Sequence, residues 1–504
     1  MNKNNLDIVN SAENIRALDK YCTEELCIPS LVLMENAALS FVYNIPKNKY
    51  KEYIMLCGKG NNGGDGLAIG RKLLSQGNTV KFIILHVGRE SEDFISNFNI
   101  IKNMGCTICE VYEEQDIQFI SAMFQSDVLV VDGIFGTGLN REVKGVAKVV
   151  IEVLNRSKSD VYSIDIPSGL QCDTGEILGV AVKAEKTISF AMYKFGFLNY
   201  EAFEYIGKVV LQNIGMPPCA LEKYDSKCYM VNEDYVKSNF HKRKATSHKG
   251  DFGKLLIFAG SSGFAGAAKI CARAAVRCGA GLTYVVCHEE VLQALSSSLT
   301  EPMCMTFQDE RVANLLGKST VIAFGPGMGD SDITYRQLKY VVENSNAPMV
   351  IDADGLNVLC NHKELLKKRP GFKTIITPHP GEMSRLTGKD ISYVEKNRID
   401  VACKFAREYE VVVLLKGHNT VITDGNTVFI NTSGNSAMAN GGMGDCLTGI
   451  IASFIGQGYN ELKAAVMGAY IHGYIGDYMA QYNYVVTAED IIGQLSKTLR
   501  EFTD

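Results

Sequence analysis

Two successive α/β units, each a mostly parallel sheet covered by helices, are what this sequence predicts. Three observations carry that expectation. Short apolar runs alternate with helix-length amphipathic segments twice along the chain. Polar residues and glycines recur where those runs end, as ligand-binding loops do in open parallel sheets. The 504 residues also exceed what one hydrophobic core organises.

In the first unit, YIMLCG (53–58), VKFIILHV (80–87), DVLVVDGIF (127–135) and DVYSIDIP (160–167) read as strands. GLAIGRKLLSQG and SNFNIIKNMG between them have the apolar spacing of amphipathic helices. KTISFAM (186–192) and KVVLQNI (208–214) close the unit, and MPPCALEKYDSK (216–227), with Pro-Pro, charge and no periodicity, reads as a linker. Domains at 1–218 and 228–504 are expected. In the second unit KLLIFAG (254–260), LTYVVCH (282–288), TVIAFGP (320–326), MVIDAD (349–354), TIITPHP (374–380) and VVVLLKG (411–417) read as short buried strands. TVITDGNTVFINTSG (420–434) predicts a hairpin turning on Asp424-Gly425-Asn426, and an Ala/Gly-rich helix pair follows from about Gly444 to Met479. There is no internal repeat.

Composition narrows the class of function. Hydrophobic residues at 46% and charged residues at 21% are ordinary for a soluble globular protein. A net charge of -5 argues against nucleic-acid or membrane-surface binding, which needs a basic face. No apolar run approaches the ~20 residues of a membrane span, and the first twenty residues lack a signal-peptide core, so a cytoplasmic location is expected. The 15 cysteines are thinly spread, and the lone CxxC, Cys106 and Cys109, lies in a Val/Ile-rich context that favours structural use over zinc.

At the first glycine-rich turn, GKGNNGGDGLAIGRKL opens a helix directly after a strand. Clustered glycines let backbone approach an anion, and a helix start offers free N–H donors. The run is neither a G-x-G-x-x-G fingerprint nor a Walker loop. A turn without a ligand is the plain alternative, but Asn61, Asn62 and Asp65 are polar groups that a mere turn does not need. Asp132, Asp165 and Ser168 also fall at strand ends. Asn62, Asp132 and Ser168 would suit an alkali cation as hard oxygen ligands, and Asp165 would suit an acid or base; each aspartate equally suits a helix cap.

LDKYCTEELCIPSLVLMENAA, CGKGNNGGDGLAIGRKL, DGIFGTGLNREVKG and IDIPSGLQCDTGE together resemble the NAD(P)H-hydrate epimerase family, the YjeF N-terminal domain, over residues 1–215. That resemblance implies a Rossmann-like three-layer αβα fold interconverting R and S hydrates. It implies potassium on Asn62, Asp132 and Ser168, and substrate on Asn61, Asn62, Gly63, Gly64 and Asp65. Substrate contacts are further implied at Gly136, Thr137, Gly138, Leu139, Asn140, Arg141 and Glu142, with Asp165 as the catalytic carboxylate.

The second glycine-rich motif, NGGMGDCLTGIIASFI (440–455), enters an apolar helix. Backbone N–H groups of Gly442, Met443 and Gly444 there would form an anion hole for phosphoryl oxygens. Asp445 beside it would take a proton from an attacking hydroxyl. A tight turn capped by Asp445 is the structural alternative. Lys416 ends a strand, DADGLN puts two carboxylates at another, and His379 stands at a third tip, where backbone contacts alone would equally explain it.

With HKGDFGKLLIFAGSS, GPGMG, DADGLN, TPHPGEMSRLTG and LLKGHNTVI, this motif resembles the NAD(P)H-hydrate dehydratase family of the ribokinase-like superfamily, over about 235–504. The resemblance implies a ribokinase-like αβα fold and ADP as co-substrate with Mg2+. The nucleotide would lie on Lys416, Gly417, His418, Asn419, Thr420 and Gly444. The hydrate would face Ala267, Gly327, His379 and Asp445, with Asp445 catalytic. Met443 stands where the family commonly has Thr, which removes a hydroxyl but not the backbone donors. A homo-oligomer without nucleic-acid or membrane partners is expected. Two rivals are a small-molecule kinase releasing a stable phosphorylated product, and a non-catalytic N-terminal binding module. The fused arrangement disfavours the first, and the intact Asn62, Asp132, Asp165 and Ser168 disfavour the second.

Overall fold

The computed structural model describes residues 6–503. The chain divides into two compact units, the first spanning Asp7–Ser226 and the second beginning at Lys227. In the first, a 7-stranded sheet runs in the order Ile108–Val111, Val80–Leu85, Glu52–Cys57, Val128–Gly133, Asp160–Ile164, Lys186–Phe190, Lys208–Gln212. Every neighbouring pair in it is parallel. Alternate side chains serve opposite layers, as strand geometry dictates. Tyr53, Met55 and Cys57 join the core beneath helices Ser30–Tyr43 and Asn61–Ser75. Ile54 and Leu56 join the core beneath Gly145–Arg156. The result is a three-layer αβα sandwich.

Strand Glu52–Cys57 is flanked by Val80–Leu85 and Val128–Gly133, so the chain leaves it in one direction and later returns on the other side. That reversal opens a crevice at the carboxyl ends of Glu52–Cys57 and Val128–Gly133. The loops into Asn61 and beyond Gly133 diverge around it.

The segment 216–227, expected as a linker, instead carries the short helix Pro218–Lys223 with proline at its first position. Ala220 and Met216 are buried in the first unit's core, and Leu221 packs on it. Three apolar contacts in so short a run leave no helical period to detect, which is why the sequence reads as a connection.

The second unit places Met303–Thr306, Leu282–Cys287, Lys254–Phe258, Val321–Phe324, Met349–Ile351, Thr374–Ile376 and Val412–Leu415 side by side in parallel. Thr420–Thr423 and Val428–Asn431 continue the sheet as an antiparallel hairpin. The Asp424 carboxylate accepts from the Asn426 and Thr427 N–H groups at 2.9 and 2.8 Å, closing the turn where Asp424-Gly425-Asn426 places it. Cys228–Met230 adds a strand in parallel on Val428–Asn431. Lys254–Phe258 lies between Leu282–Cys287 and Val321–Phe324, repeating the reversal seen in the first unit.

Helix Met443–Gly456 is buried along its whole length from Cys446 onward. A helix that is apolar on every side must be enclosed on every side. Its closest neighbour is Ala265–Cys278, which approaches so tightly that a Cβ on Gly449 would strike the Cys271 carbonyl oxygen and lie 3.0 Å from the Ala274 methyl. We expect Gly449→Val to pry these helices apart and cost about 1–3 kcal/mol of stability, read as a lower urea midpoint for the second unit. An unchanged midpoint would mean the contact is looser than described.

Candidate active sites

A cavity of about 610 Å³ occupies the first unit's crevice, lined among others by Arg16, Asp19, Asn61, Asn62, Asp65, Gly136 to Arg141 and Asp165. Gly63 and Gly64 lie just behind Asn62, in the buried first turn of Asn61–Ser75. A Cβ on Gly63 would strike the Gly58 backbone, so the tight strand-to-helix turn requires glycine there. Glu142 is beyond the lining, forming an exposed ion pair with Lys144 at 3.0 Å.

Asp132 ends its strand fully buried. Its carboxylate accepts from Ser163 Oγ at 2.8 Å, the Ser168 N–H at 2.9 Å, Ser168 Oγ at 2.6 Å and the Ile134 N–H at 3.3 Å. Burial raises its pKa against the pull of these hydrogen bonds. Asn62 Nδ2 donates to the Phe135 carbonyl at 2.9 Å, and the Phe135 N–H donates to Ser168 Oγ at 2.8 Å. Asn62, Asp132, Ser168 and the Phe135 carbonyl therefore form one oxygen-rich knot. Every partner of the Asp132 carboxylate in it is neutral. Buried charges are ordinarily paired or bound to a cation, so a monovalent ion fits this donor set.

Asp165 follows the next strand in a left-handed conformation, φ 63°. Its Oδ1 accepts from the Phe190 N–H at 2.9 Å and from the Lys194 ammonium. Lys194 is fully buried and also donates to Ser189 Oγ at 2.7 Å and the Met192 carbonyl at 3.2 Å. Nothing in the sequence marked Lys194, which is a single cation in the apolar run AMYKFGF. Its role emerges only when strand Tyr193–Lys194 brings it under Asp165. Asp65, also on the cavity, has its carboxyl pushed well up by burial, with Asp165, Asp19 and Asp93 adding repulsion.

In the second unit the sites gather at the carboxyl ends of Met349–Ile351, Thr374–Ile376 and Val412–Leu415. Lys416 Nζ lies 2.9 Å from Asp352 Oδ1 and 3.8 Å from Glu382 Oε2. Thr448 Oγ1 donates to Asp352 Oδ2 at 2.8 Å, tying helix Met443–Gly456 to the same carboxylate. Burial opposes charge on Asp352, yet the Lys416 ammonium and these hydrogen bonds hold its pKa below the ordinary value. A Cβ on Gly444 would lie 3.3 Å from Lys416 Nζ and 3.4 Å from Asp352 Oδ2, so Gly444 closes onto the pair. Gly442 caps the helix start at φ 91°. The following N–H groups, in the first turn, have no helical acceptor of their own.

Asp445 lies in that first turn, half-buried. Desolvation raises its pKa to about 7, with Asp352 and Asp354 adding to the rise and Lys416 opposing it. Ala267 and Gly327 come together: a Cβ on Gly327, at φ 61°, would lie 3.0 Å from the Ala267 methyl. The Gly329 N–H donates to Asp354 Oδ2 at 2.8 Å, anchoring the GPGMG loop. His379 is the N-cap of helix Pro380–Thr387, its Nδ1 accepting from the Gly381 N–H at 3.0 Å and the Glu382 N–H at 3.3 Å. Burial and the Lys416 charge lower its pKa. With Nδ1 serving as acceptor, the proton of the neutral ring sits on Nε2. The loop 417–420 is braced by Arg398, which donates to the Leu415 and Lys416 carbonyls at 2.9 and 3.1 Å. Gly417 and Asn419 both take positive φ, and Thr420 Oγ1 donates to the Gly417 carbonyl at 2.9 Å. Burial lowers the pKa of His418 in the same loop.

Folds and sites thus define a two-unit α/β enzyme, with a Rossmann-like crevice in one unit and an aspartate in the first turn of a glycine-capped helix in the other. Residues 30–196 match the family described as YjeF-related protein N-terminus, and residues 255–497 match NAD(P)H-hydrate dehydratase. The bifunctional NAD(P)H-hydrate repair enzyme Nnr of Moorella thermoacetica is 35% identical, across 98% of this chain and 97% of its own. The Escherichia coli enzyme of the same name is 30% identical across 95% and 92%. A ribokinase-like superfamily protein of Enterococcus faecalis matches with a TM-score of 0.51 and 27% identity, covering 55% of this chain and 97% of its own. The chain belongs to the family of bifunctional NAD(P)H-hydrate repair enzymes.

Lys194→Met would leave the half-buried Asp165 carboxylate without its cation. We expect a loss of about 3–5 kcal/mol, confined to the first unit and measured by urea unfolding with hydrogen exchange. Retention of full stability would show that the pair is dispensable.

Proposed function

We propose that the two sites act in turn on hydrated nicotinamide dinucleotides. The first interconverts the R and S hydrates. The second dehydrates the S form to NAD(P)H at the expense of ADP, releasing AMP and phosphate. The observation that carries this reading is Asp445, poised near neutrality at a helix start beside Lys416. Deprotonated, it accepts the proton of the hydrate hydroxyl as that oxygen attacks the β-phosphorus of ADP and AMP leaves. The first-turn N–H groups and Lys416 receive the charge that accumulates on phosphoryl oxygens. Phosphate then departs with the C–O bond while the adjacent carbon gives up a proton, and the ring double bond is restored.

Lys416, Gly417, His418, Asn419, Thr420 and Gly444 would hold the nucleotide, while Ala267, Gly327 and the Nε2–H of His379 would face the hydrate. Met443 supplies its backbone N–H where the family commonly adds a hydroxyl. Among the described residues no three His, Cys, Asp or Glu side chains converge as a preformed cage. That suits Mg2+ arriving on the nucleotide and held chiefly by phosphates and water, where it neutralises charge.

In the first unit Asn62, Asp132 and Ser168 would hold K+, keeping Asp132 ionised and fixing the knot. Asn61 to Asp65 and Gly136 to Glu142 would bind the substrate, and Asp165 would be the proton-transferring carboxylate. Among the described residues no helix is long and apolar enough to cross a membrane. A cytoplasmic location belongs to this reading.

Given NADH hydrate and ADP, the protein is expected to regenerate the dihydronicotinamide absorbance; consumption of nucleotide without that recovery would favour a kinase. Asp445→Asn should slow dehydration by ~10²–10⁴ with epimerisation intact. The wild-type dehydration rate should fall as pH drops below about 7, because protonated Asp445 no longer accepts. Asp165→Asn should abolish epimerisation and spare dehydration of pure S hydrate. Exchange of K+ for Li+ should depress epimerisation alone.

A further inference from the structure

The signature around Asp19 in the first helix has no part in the chemistry described so far, yet its side chain faces the 610 Å³ cavity together with Asp165. We propose that Asp19 is a second catalytic residue of the epimerase site, the acid that protonates the leaving hydroxyl while the Asp165 carboxylate serves as base. The inference rests on the proposed role of Asp165.

Three observations place Asp19 in that role. It comes from helix Ala12–Lys20, a different wall from the strand end that carries Asp165, so the cavity presents carboxyls from separate elements. Asp165 pairs with the buried Lys194 ammonium and accepts from the Phe190 N–H. Among the described residues Asp19 forms no such pair. Asp19 is exposed where the cleft opens, yet the cavity walls crowd its carboxyl and partly desolvate it. That desolvation, with Asp165 adding repulsion and Lys194 opposing, pushes its pKa up to about 7. Of two carboxyls in one cavity, the one set against an ammonium suits the base and the one without that partner suits the acid. The other charged groups on this cavity are Arg16, Asp65, Arg89, Asp93 and Arg141.

The step balances without any further reagent. The hydrate carries its hydroxyl on the carbon next to the ring nitrogen, and the epimers differ at that carbon. Asp19 gives its proton to the hydroxyl, the C–O bond breaks, and water leaves as the nitrogen lone pair forms a C=N bond. Water then adds to the other face, the electron pair returns to nitrogen, and the surplus proton passes to Asp165. One proton has moved from Asp19 to Asp165, and exchange with solvent resets both. The opposite epimerisation runs the same path backwards, with protonated Asp165 as the acid and ionised Asp19 as the base.

The test uses the full-length chain without nucleotide, so that dehydration is silent. Asp19→Asn should slow epimerisation ~10²-fold or more and remove the decline in wild-type rate above about pH 7, where Asp19 would lose its proton. Asp19→Glu should restore part of the rate together with that pH limb. Dehydration of pure S hydrate by Asp19→Asn should be unchanged, showing the second unit intact, and urea unfolding of the first unit should match wild type, showing that unit folded. In ¹⁸O-water, each wild-type epimerisation should place one solvent oxygen on the hydrate. A rate within a few-fold of wild type for Asp19→Asn overturns the proposal, as does an absence of label. So does an alkaline limb that survives in Asp19→Asn but vanishes in Asp65→Asn. Full activity of Asp165→Asn with loss in Asp19→Asn would instead overturn the base assignment and leave the acid standing.

Discussion

Each unit is organised around a lysine ammonium set against an aspartate at the carboxyl end of a parallel sheet. Lys194 with Asp165 and Lys416 with Asp352 are the two pairs. An isolated charge taken out of water costs several kcal/mol, so neither partner tolerates burial without the other. That requirement fixes more than two side chains. Lys194 must also satisfy Ser189, Phe190 and Met192, which freezes the turn after Lys186–Phe190. Asp352 must also receive Thr448, which locks the start of helix Met443–Gly456 in front of the sheet. These contacts tie the turn beside Asp165 and the helix start beside Asp445 to the sheet ends.

The same logic explains where the glycines fall. Loops must pass close to strand ends to put backbone N–H groups in reach of an anion, and a Cβ is what stops them. At Gly63 the obstacle would be the Gly58 backbone, and at Gly325 the Asp352 backbone. The motif NNGGDG is therefore as much a packing requirement as a binding one.

Much of this architecture was legible in the chain. Strands such as Glu52–Cys57 and Lys254–Phe258 are continuous apolar runs between glycines, because both faces of a parallel strand are buried. The hairpin at Asp424 announced itself through its turn residues. Strand-end positions for Asp132, Asp165 and Ser168 followed from where those runs stop. Partnerships were not legible. Lys194 lies 29 residues from Asp165, and Lys416 lies 64 from Asp352, with no local pattern joining either pair. Short strands such as Met303–Thr306 escaped for a related reason, since four residues with one buried side chain carry no period. His379 was ambiguous in sequence between a site residue and a loop residue satisfied by backbone, and the structure makes it a helix cap whose second nitrogen remains free of that duty.

A lysine that neutralises one carboxylate also decides what its neighbours do. In the second unit, Lys416 keeps Asp352 below its ordinary pKa, while Asp352, still negative, helps push Asp445 up to about 7. Two aspartates near one ammonium thus take different tasks, one a permanent anion that builds the site, the other a group able to exchange a proton near neutrality. In the first unit Lys194 pairs with Asp165, and the field of Asp165 falls on Asp19 and Asp65. Neither fold imposes this on the other, since the strand orders and the lysine-bearing elements differ. What recurs is a constraint of electrostatics in a confined space, where a single buried cation cannot serve every carboxylate within reach and the unserved ones become titratable.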